Sequence, residues 1–181
     1  MTRRPTPRLA LAALLALALV VPTTAARHAS PPVGAAPGAR LGPPWISIEY
    51  PPSPYDRATR DAYLLVHAFH HGTPAGLPVS GTAEGLVDGR RRSVRLAFSP
   101  TARAGVYALR KQWPSDGAWA LVISVTQGKG DLAATALVQI AENGQVGSVT
   151  VPTTRQDGWN IPRGVTAAEV EAALRGRVAS R

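Results

Sequence analysis

Residues 119–126 have the sequence Trp-Ala-Leu-Val-Ile-Ser-Val-Thr, in which large apolar side chains occupy every second position. The large residues are Trp119, Leu121, Ile123 and Val125. Successive side chains of a β-strand point to opposite faces of its sheet, so this alternation predicts a strand with one strongly apolar face. Because so many large side chains need burial, we expect the strand to lie in the centre of its sheet.

Short alternating or continuously apolar stretches lie on both sides of this strand. They predict further strands at residues 45–50, 62–69, 79–87, 93–98, 105–109, 133–140 and 146–151. Two turn signals join neighbouring strands: Asp88-Gly89 predicts a tight hairpin, and Asn143-Gly144 can supply the positive φ values of a type I′ turn.

Short strands separated by turn residues favour an antiparallel sandwich over alternating β-α-β units. The predicted fold class is therefore all-β, an immunoglobulin-like antiparallel β-sandwich of about seven to eight strands. This domain is expected to occupy residues 45–151.

The first 26 residues predict a cleavable signal peptide. A basic start, MTRRPTPR, precedes an apolar run over residues 9–21 and small residues around 23–26. A membrane-spanning helix needs roughly 20 apolar residues, so this shorter run fits the apolar segment of a secretory signal. We therefore expect an exported protein, periplasmic or extracellular, with no stable membrane span after signal cleavage.

Composition narrows the properties of the mature chain. Residues 27–44 are rich in Pro, Gly and Ala, which predicts a disordered tether. The chain has no cysteine, so no disulfide can stabilise the exported product. The formal net charge is +9, but arginine outnumbers lysine eighteen to two beside heavy use of Ala, Gly and Pro. We attribute the charge to a GC-rich genome and expect no nucleic-acid partner.

Residues 152–181 predict a polar tail that contains a short helix at about 167–178. Thr166 and Glu169 have the spacing of a capping box ahead of a few apolar residues. A helix with so thin an apolar stripe is marginal in water by itself. It either docks on the sandwich or frays, and the sequence leaves both outcomes open.

Three stretches carry a resemblance to a known family: Gly-Val-Tyr at 105–107, Trp-Pro-Ser-Asp-Gly at 113–117, and the strand at 119–125. Together they resemble the pattern G-x-Y, then P-x-x-G-x-W-x-L-x-V, of the YtkA-like and FixH-like family of exported immunoglobulin-type domains. The resemblance covers roughly residues 45–125. It implies the sandwich fold, and such domains occur as modules beside membrane or metal-handling proteins.

Three histidines, His67, His70 and His71, are candidate ligands for copper or zinc. The alternative interpretation places His67 on a strand face and the other two in a solvated turn. If the strand continued through them, His67 and His71 would lie about 13 Å apart on one face, too far for one ion to bridge. We therefore expect weak metal binding only.

A second candidate is the group of arginines after the Asp88-Gly89 turn. Its members are Arg90, Arg91, Arg92 and Arg95. This positive patch suits a phosphate, an acidic wall polymer or an acidic protein. It equally suits a solvated hairpin tip whose charges discourage edge-to-edge pairing of sheets.

The sequence contains no pattern typical of catalysis. No Ser or Cys has the flanking residues of a nucleophile, no phosphate-binding or dinucleotide motif occurs, and the carboxylates Glu84 and Asp88 lie in no pattern typical of acid–base catalysis. We expect a non-enzymatic, monomeric binding or accessory module of the bacterial cell envelope, with an unknown envelope protein or polymer as partner and no cofactor. The alternative is a periplasmic copper- or zinc-binding protein that uses the histidines.

Overall fold

The structure is a computed structural model that describes residues 42–130 and 132–178, with side chains up to residue 176. The predicted signal peptide and most of the predicted tether lie outside the described residues.

The described residues form twelve strands and one helix. The bounds are β1 Trp45–Glu49, β2 Leu64–His70, β3 Thr73–Pro74, β4 Val79–Val87, β5 Arg90–Arg95, β6 Phe98–Pro100, β7 Val106–Leu109, β8 Ala118–Gln127, β9 Leu132–Ile140, β10 Val146–Thr150, β11 Thr153–Gln156, β12 Trp159–Pro162 and α1 Ala167–Val178.

Ten of the strands form two five-stranded sheets. The first sheet has the order β1-β2-β7-β6, with β3 beside β2, and the second has the order β10-β9-β8-β4-β5. All these strand pairs are antiparallel. The predicted all-β, sandwich-like fold is therefore confirmed, although twelve strands replace the expected seven to eight because several are only two to four residues long.

The strand predicted as central, β8, is the third of five in the second sheet. Its large residues are fully buried, as the alternation predicts, in a core shared with Ile46, Leu64 and Val66 of the first sheet. The indole of Trp119 donates to the carbonyl of Asp116 over 2.7 Å. A Cβ at Gly85 would lie only 2.5 Å from the Trp119 ring, so glycine makes room for the indole.

The residues that carry the family resemblance have structural roles in this fold. The hydroxyl of Tyr107 donates to the carbonyl of Leu77 over 2.7 Å. Gly117 has φ +81 and its backbone lies against the carbonyl of Leu86, which leaves no room for a side chain. Trp113, although outside any strand, is buried in the core.

The two predicted turns behave differently. Asp88 and Gly89 have φ values of 49 and 72, as a type I′ hairpin requires. The type I′ prediction at Asn143-Gly144 is wrong, because only Gly144 has positive φ there. Its N–H donates to Ala141 over 2.9 Å, which fits a type I turn followed by a left-handed glycine.

The stretch predicted as one strand at residues 93–98 crosses between the sheets. β5 pairs with β4 as far as Arg95, while Phe98 begins β6, which pairs with β7 of the first sheet. Strands that bend from one sheet to the other form the corners of such sandwiches. The alternation persists through the crossing because Val94, Leu96 and Phe98 all still pack in the core.

A further hairpin, β11 and β12, lies in the segment predicted only as a polar tail with a helix. Its turn is Asp157-Gly158, with φ values of 50 and 83. This is the same dipeptide that predicted the turn at residues 88–89, but the residues around it are polar and suggested no strands.

Helix α1 has the predicted bounds and the predicted capping box. The N–H of Thr166 donates to Glu169 over 2.8 Å, and the N–H of Glu169 donates to the Thr166 hydroxyl over 3.3 Å. Both carboxylate oxygens of Glu169 also accept from Arg163. The Arg163 guanidinium, together with the Thr166 N–H and hydroxyl, lowers the pKa of Glu169 from 4.5 to about 2.

Helix α1 docks on the sandwich and does not fray, because Leu174 in its last turns is only 1% exposed. It packs with Ala118 and Ala120 of β8, and Gln139 donates to the carbonyl of Ala173 over 2.8 Å. The helix therefore docks on the outer face of the second sheet. Within the described residues no helix is long and apolar enough to cross a membrane.

Candidate functional site

The outer face of the second sheet presents its side chains in rows that run across the strands. Strand register places Arg95, Thr82 and Val122 in one row and Ser80, Ser124 and Thr135 in the next. Helix α1 covers the far end of this face, where Ala118 and Ala120 lie. The two rows with the hydroxyl groups lie beyond the covered end.

The crossing of the chain between the sheets leaves a groove beside these rows. β5 pairs with β4 only from Thr82 onward, so residues 79–81 of β4 have β8 on one side and no strand on the other. The resulting cavity has a volume of about 510 Å³ and is lined by residues 79–82, residues 95–96, Val122 and Ser124. We refer to it as the notch.

Several polar groups of the notch are free to contact a ligand. Ser124 and Thr135 share a hydrogen bond of 3.0 Å between their hydroxyls. Among the described residues, the hydroxyls of Ser80 and Thr82 and the guanidinium of Arg95 have no hydrogen-bond or ion-pair partner. The notch therefore combines one cation with two unengaged hydroxyls on an apolar floor.

The arginines predicted as a patch lie on β5, the edge strand next to the notch. Arg91 forms an ion pair with Glu171 of α1, so it contributes to holding the helix. Arg90, Arg92 and Arg95 are exposed and have no ion pair in the described part of the chain. We refer to these three as the arginine edge.

One carboxylate lies near the arginine edge on the outer face of β4. Glu84 accepts a hydrogen bond of 2.8 Å from the hydroxyl of Ser93, which lies opposite it on β5. Glu84 is one row closer to α1 than Thr82, so the notch itself has no acidic lining residue.

The structure does not gather the three histidines into one site. Nε2 of His67 lies 2.8 Å from Oε2 of Glu49, and the same carboxylate oxygen lies 3.5 Å from Arg103. The rings of His70 and His71 contact each other, with centroids 4.1 Å apart. In the described residues no three His, Cys, Asp or Glu side chains are placed to hold one metal ion.

The end of β2 explains this separation. His70 is the last residue of the strand and contacts the amide nitrogen of Gln127 over 3.1 Å, whereas His71 has φ 49 and lies in the following turn. Its ring packs against Gly42, in a groove of about 560 Å³ that also contains Trp45 and Phe69. The strand thus ends at His70, and the rings of His70 and His71 converge without that of His67.

Sequence reasoning found the arginine patch but not the notch. Ser80 and Thr82 carry no motif, and their proximity to Arg95 depends on the register of three strands and on the crossing after residue 95. The only available signal was the alternation on β4, which places small polar residues at 80 and 82 on the face away from the core.

No family model, curated protein or solved structure matches this chain. The resemblance to YtkA-like and FixH-like domains therefore stays a prediction from the residues quoted above.

Proposed function

We propose that this chain is a non-enzymatic exported binding or accessory module of the bacterial cell envelope, and that it binds an acidic envelope polymer through the arginine edge. The proposal includes an immunoglobulin-like sandwich of the YtkA-like and FixH-like type, delivered across the membrane by the signal at residues 1–26. The mature domain is monomeric and needs no cofactor.

The observation that carries the proposal is the state of the arginines on β5. Arg90, Arg92 and Arg95 lie on one edge strand, are exposed, and have no carboxylate partner among the described residues. Arg91, between them, already pairs with Glu171. Alternation along β5 places Arg95 on the outer face and Arg90 and Arg92 on the opposite face, so the three unneutralised guanidinium groups give positive charge to both faces of this exposed edge. Guanidinium groups pair well with carboxylates and phosphates.

The competing interpretation is that the charges only prevent edge pairing. That role needs charge on the edge but no particular partner. The adjacent notch favours binding instead, because it offers hydroxyl groups beside one of the three arginines.

The experiment measures binding of the mature protein, residues 27–181, to immobilised polygalacturonate and poly(glycerol phosphate). Fully methyl-esterified polygalacturonate has the same backbone without charge and serves as the neutral polymer. We expect binding to the two acidic polymers and weaker binding in about 0.5 M salt than in about 0.05 M, since salt screens exposed charges.

Two variants with the same change in net charge separate a specific surface from general basicity. Arg90→Gln, Arg92→Gln and Arg95→Gln together should weaken binding at least about tenfold. The control combines Arg57→Gln, Arg110→Gln and Arg155→Gln, which are exposed elsewhere in the domain, and should bind nearly as well as the parent protein. Equal loss in both triple variants would contradict the proposal.

The histidine hypothesis makes a different prediction. The contact between His70 and His71 supplies two ligands at most, so calorimetric titration with Cu(II) or Zn(II) should show only weak binding. Stoichiometric submicromolar binding that disappears in a His70→Ala, His71→Ala variant, but not in His67→Ala, would instead support the metal-binding function.

A further inference from the structure

We propose that the notch is a binding subsite for one anionic, polyhydroxylated unit, such as a uronic acid residue or a polyol phosphate. Arg95 would pair with the acidic group, and the hydroxyls of Ser80 and Thr82 would hydrogen-bond the hydroxyls of the unit. This inference rests on the proposed function and assigns it a ligand class and a place.

The register of the strands supports the spacing that such a ligand needs. Arg95 lies directly opposite Thr82, and Thr82 directly opposite Val122, all on the outer face. Side chains opposite one another in an antiparallel pair have Cβ atoms about 5 Å apart, and rows two residues apart are separated by about 7 Å. One cation and two hydroxyls therefore lie within the dimensions of a single sugar or short polyol.

The chemistry of the lining residues matches both parts of the ligand. A guanidinium can donate two parallel hydrogen bonds to a carboxylate or phosphate. A hydroxyl both donates and accepts, which suits another hydroxyl as partner. Val122 lies in the row of Arg95 and Thr82 and offers an apolar contact for the C–H groups of the ligand. A volume of about 510 Å³ is within the range of small-molecule sites.

The acidic group should bind at Arg95 and not elsewhere in the notch. Arg95 is the only charged residue that lines it within the described part of the chain. Ser124 has part of its capacity taken by Thr135, so the two unengaged hydroxyls on β4 should contribute more than the one on β8. Arg90 and Arg92 lie further along β5 on its opposite face, since they pair with Val87 and Gly85, which face the core, so neither lines the notch.

The test is a titration of the mature protein with four small probes, monitored by backbone NMR. Methyl β-glucuronide and glycerol 1-phosphate represent the two sources of the proposed chemistry. Methyl β-glucoside is the neutral match of the first, and inorganic phosphate lacks the hydroxyl chain of the second. We expect one of the two acidic polyols to shift resonances of residues 79–82 and 95–96, and to bind at least about tenfold more tightly than its match.

Single variants assign the contacts. Arg95→Gln should weaken binding of that probe about tenfold or more, and Thr82→Val about threefold to tenfold, since it removes a hydroxyl without changing the shape of the side chain. Thr150→Val is the control, because Thr150 is exposed on β10 at the other edge of the sheet. It should change nothing, and thermal unfolding of each variant shows whether it is folded.

Three outcomes would overturn the subsite. The first is equal binding of the acidic probes and their neutral or short matches. The second is a loss of affinity in Thr150→Val equal to that in Thr82→Val. The third is that only an acidic peptide, used as a further probe and bound as an extra strand beside residues 79–81, shifts the resonances. In each case polymer binding that still depends on the arginine edge would leave the proposed function standing. If the small probes still bind the notch but polymer binding does not depend on the arginine edge, the result contradicts the proposed function and leaves the subsite standing.

Discussion

The two ends of the outer face of the second sheet are built on the same strands but have opposite surfaces. At one end β8 presents Ala118 and Ala120, and helix α1 buries them under Leu174. At the other end β4 and β8 present Ser80, Thr82 and Ser124, and no helix covers them.

The difference shows how a weakly apolar helix can dock. The stripe on α1 consists of Val170, Ala173 and Leu174, which is little apolar surface for an isolated helix. Small alanines on the sheet allow close approach, so a single leucine becomes fully buried. A hydroxyl row offers no such surface, because each hydroxyl under a helix would need a hydrogen-bond partner.

The largest expected loss of stability comes from a substitution in β8, the strand that supports both ends of the outer face. Trp119→Ala should lower the free energy of unfolding by about 3–5 kcal/mol, because the indole is fully buried beneath the covered end and its removal leaves a cavity. Denaturant unfolding of the mature protein measures this. An unchanged midpoint would mean that the core does not depend on β8.

The next largest loss of stability should be confined to the covered end, where α1 docks. Leu174→Ala should cost about 2 kcal/mol, the lower end for a buried leucine, because the helix lies at the surface and can relax. The helical contribution to circular dichroism should melt before the sheets do. Joint melting of helix and sheets at the parent temperature would show that Leu174 does not hold the helix in place.

A smaller effect should appear as the pH falls. The pKa of Glu169 is lowered to about 2 from 4.5, so its contribution to stability is present above about pH 4.5 and is lost as the pH falls toward 2. Thermal unfolding between about pH 6 and about pH 2 should show a fall in midpoint that is reduced in Glu169→Gln. Asp61→Asn, an exposed carboxylate 3.9 Å from Arg60, is the control and should keep the pH dependence of the parent protein.

The smallest expected change in stability comes from a substitution at the end of the outer face that no helix covers, which we call the open end. Thr82→Val should change the free energy of unfolding by less than about 0.5 kcal/mol, because its hydroxyl has no partner among the described residues and β-branched residues suit strands. A loss of more than about 1 kcal/mol would show that this end is a structural surface and not an open one.

Periodicity was enough to predict the core strand and the helix. The alternation at residues 119–126 reflects burial on one face, which is a local property of the sequence, and the capping box at Thr166 and Glu169 depends on a fixed spacing of three residues. Asp88-Gly89 predicted its hairpin for the same reason, since both residues must accept positive φ.

Features that depend on distant partners were not predictable in this way. The alternation at residues 93–98 is the same whether the strand stays in one sheet or crosses to the other, so the crossing left no local mark. Docking of α1 depends on alanines some fifty residues away in the sequence. The three histidines are close in sequence, but the end of β2 and the turn at His71 decide which rings meet.

The crossing between β5 and β6 has a consequence for how binding at one sheet is transmitted to the other. Residues 96 and 97 belong to no strand, yet they connect the edge strands of both sheets at one corner. The sheets cannot separate at this corner without stretching those few residues of backbone, and the N–H of Leu96 is already held by the carbonyl of Gly81 over 3.0 Å. A molecule bound against Arg95 and Leu96 would restrain this connection. Amide hydrogen exchange should then slow in β6 and β7, two strands that do not line the notch.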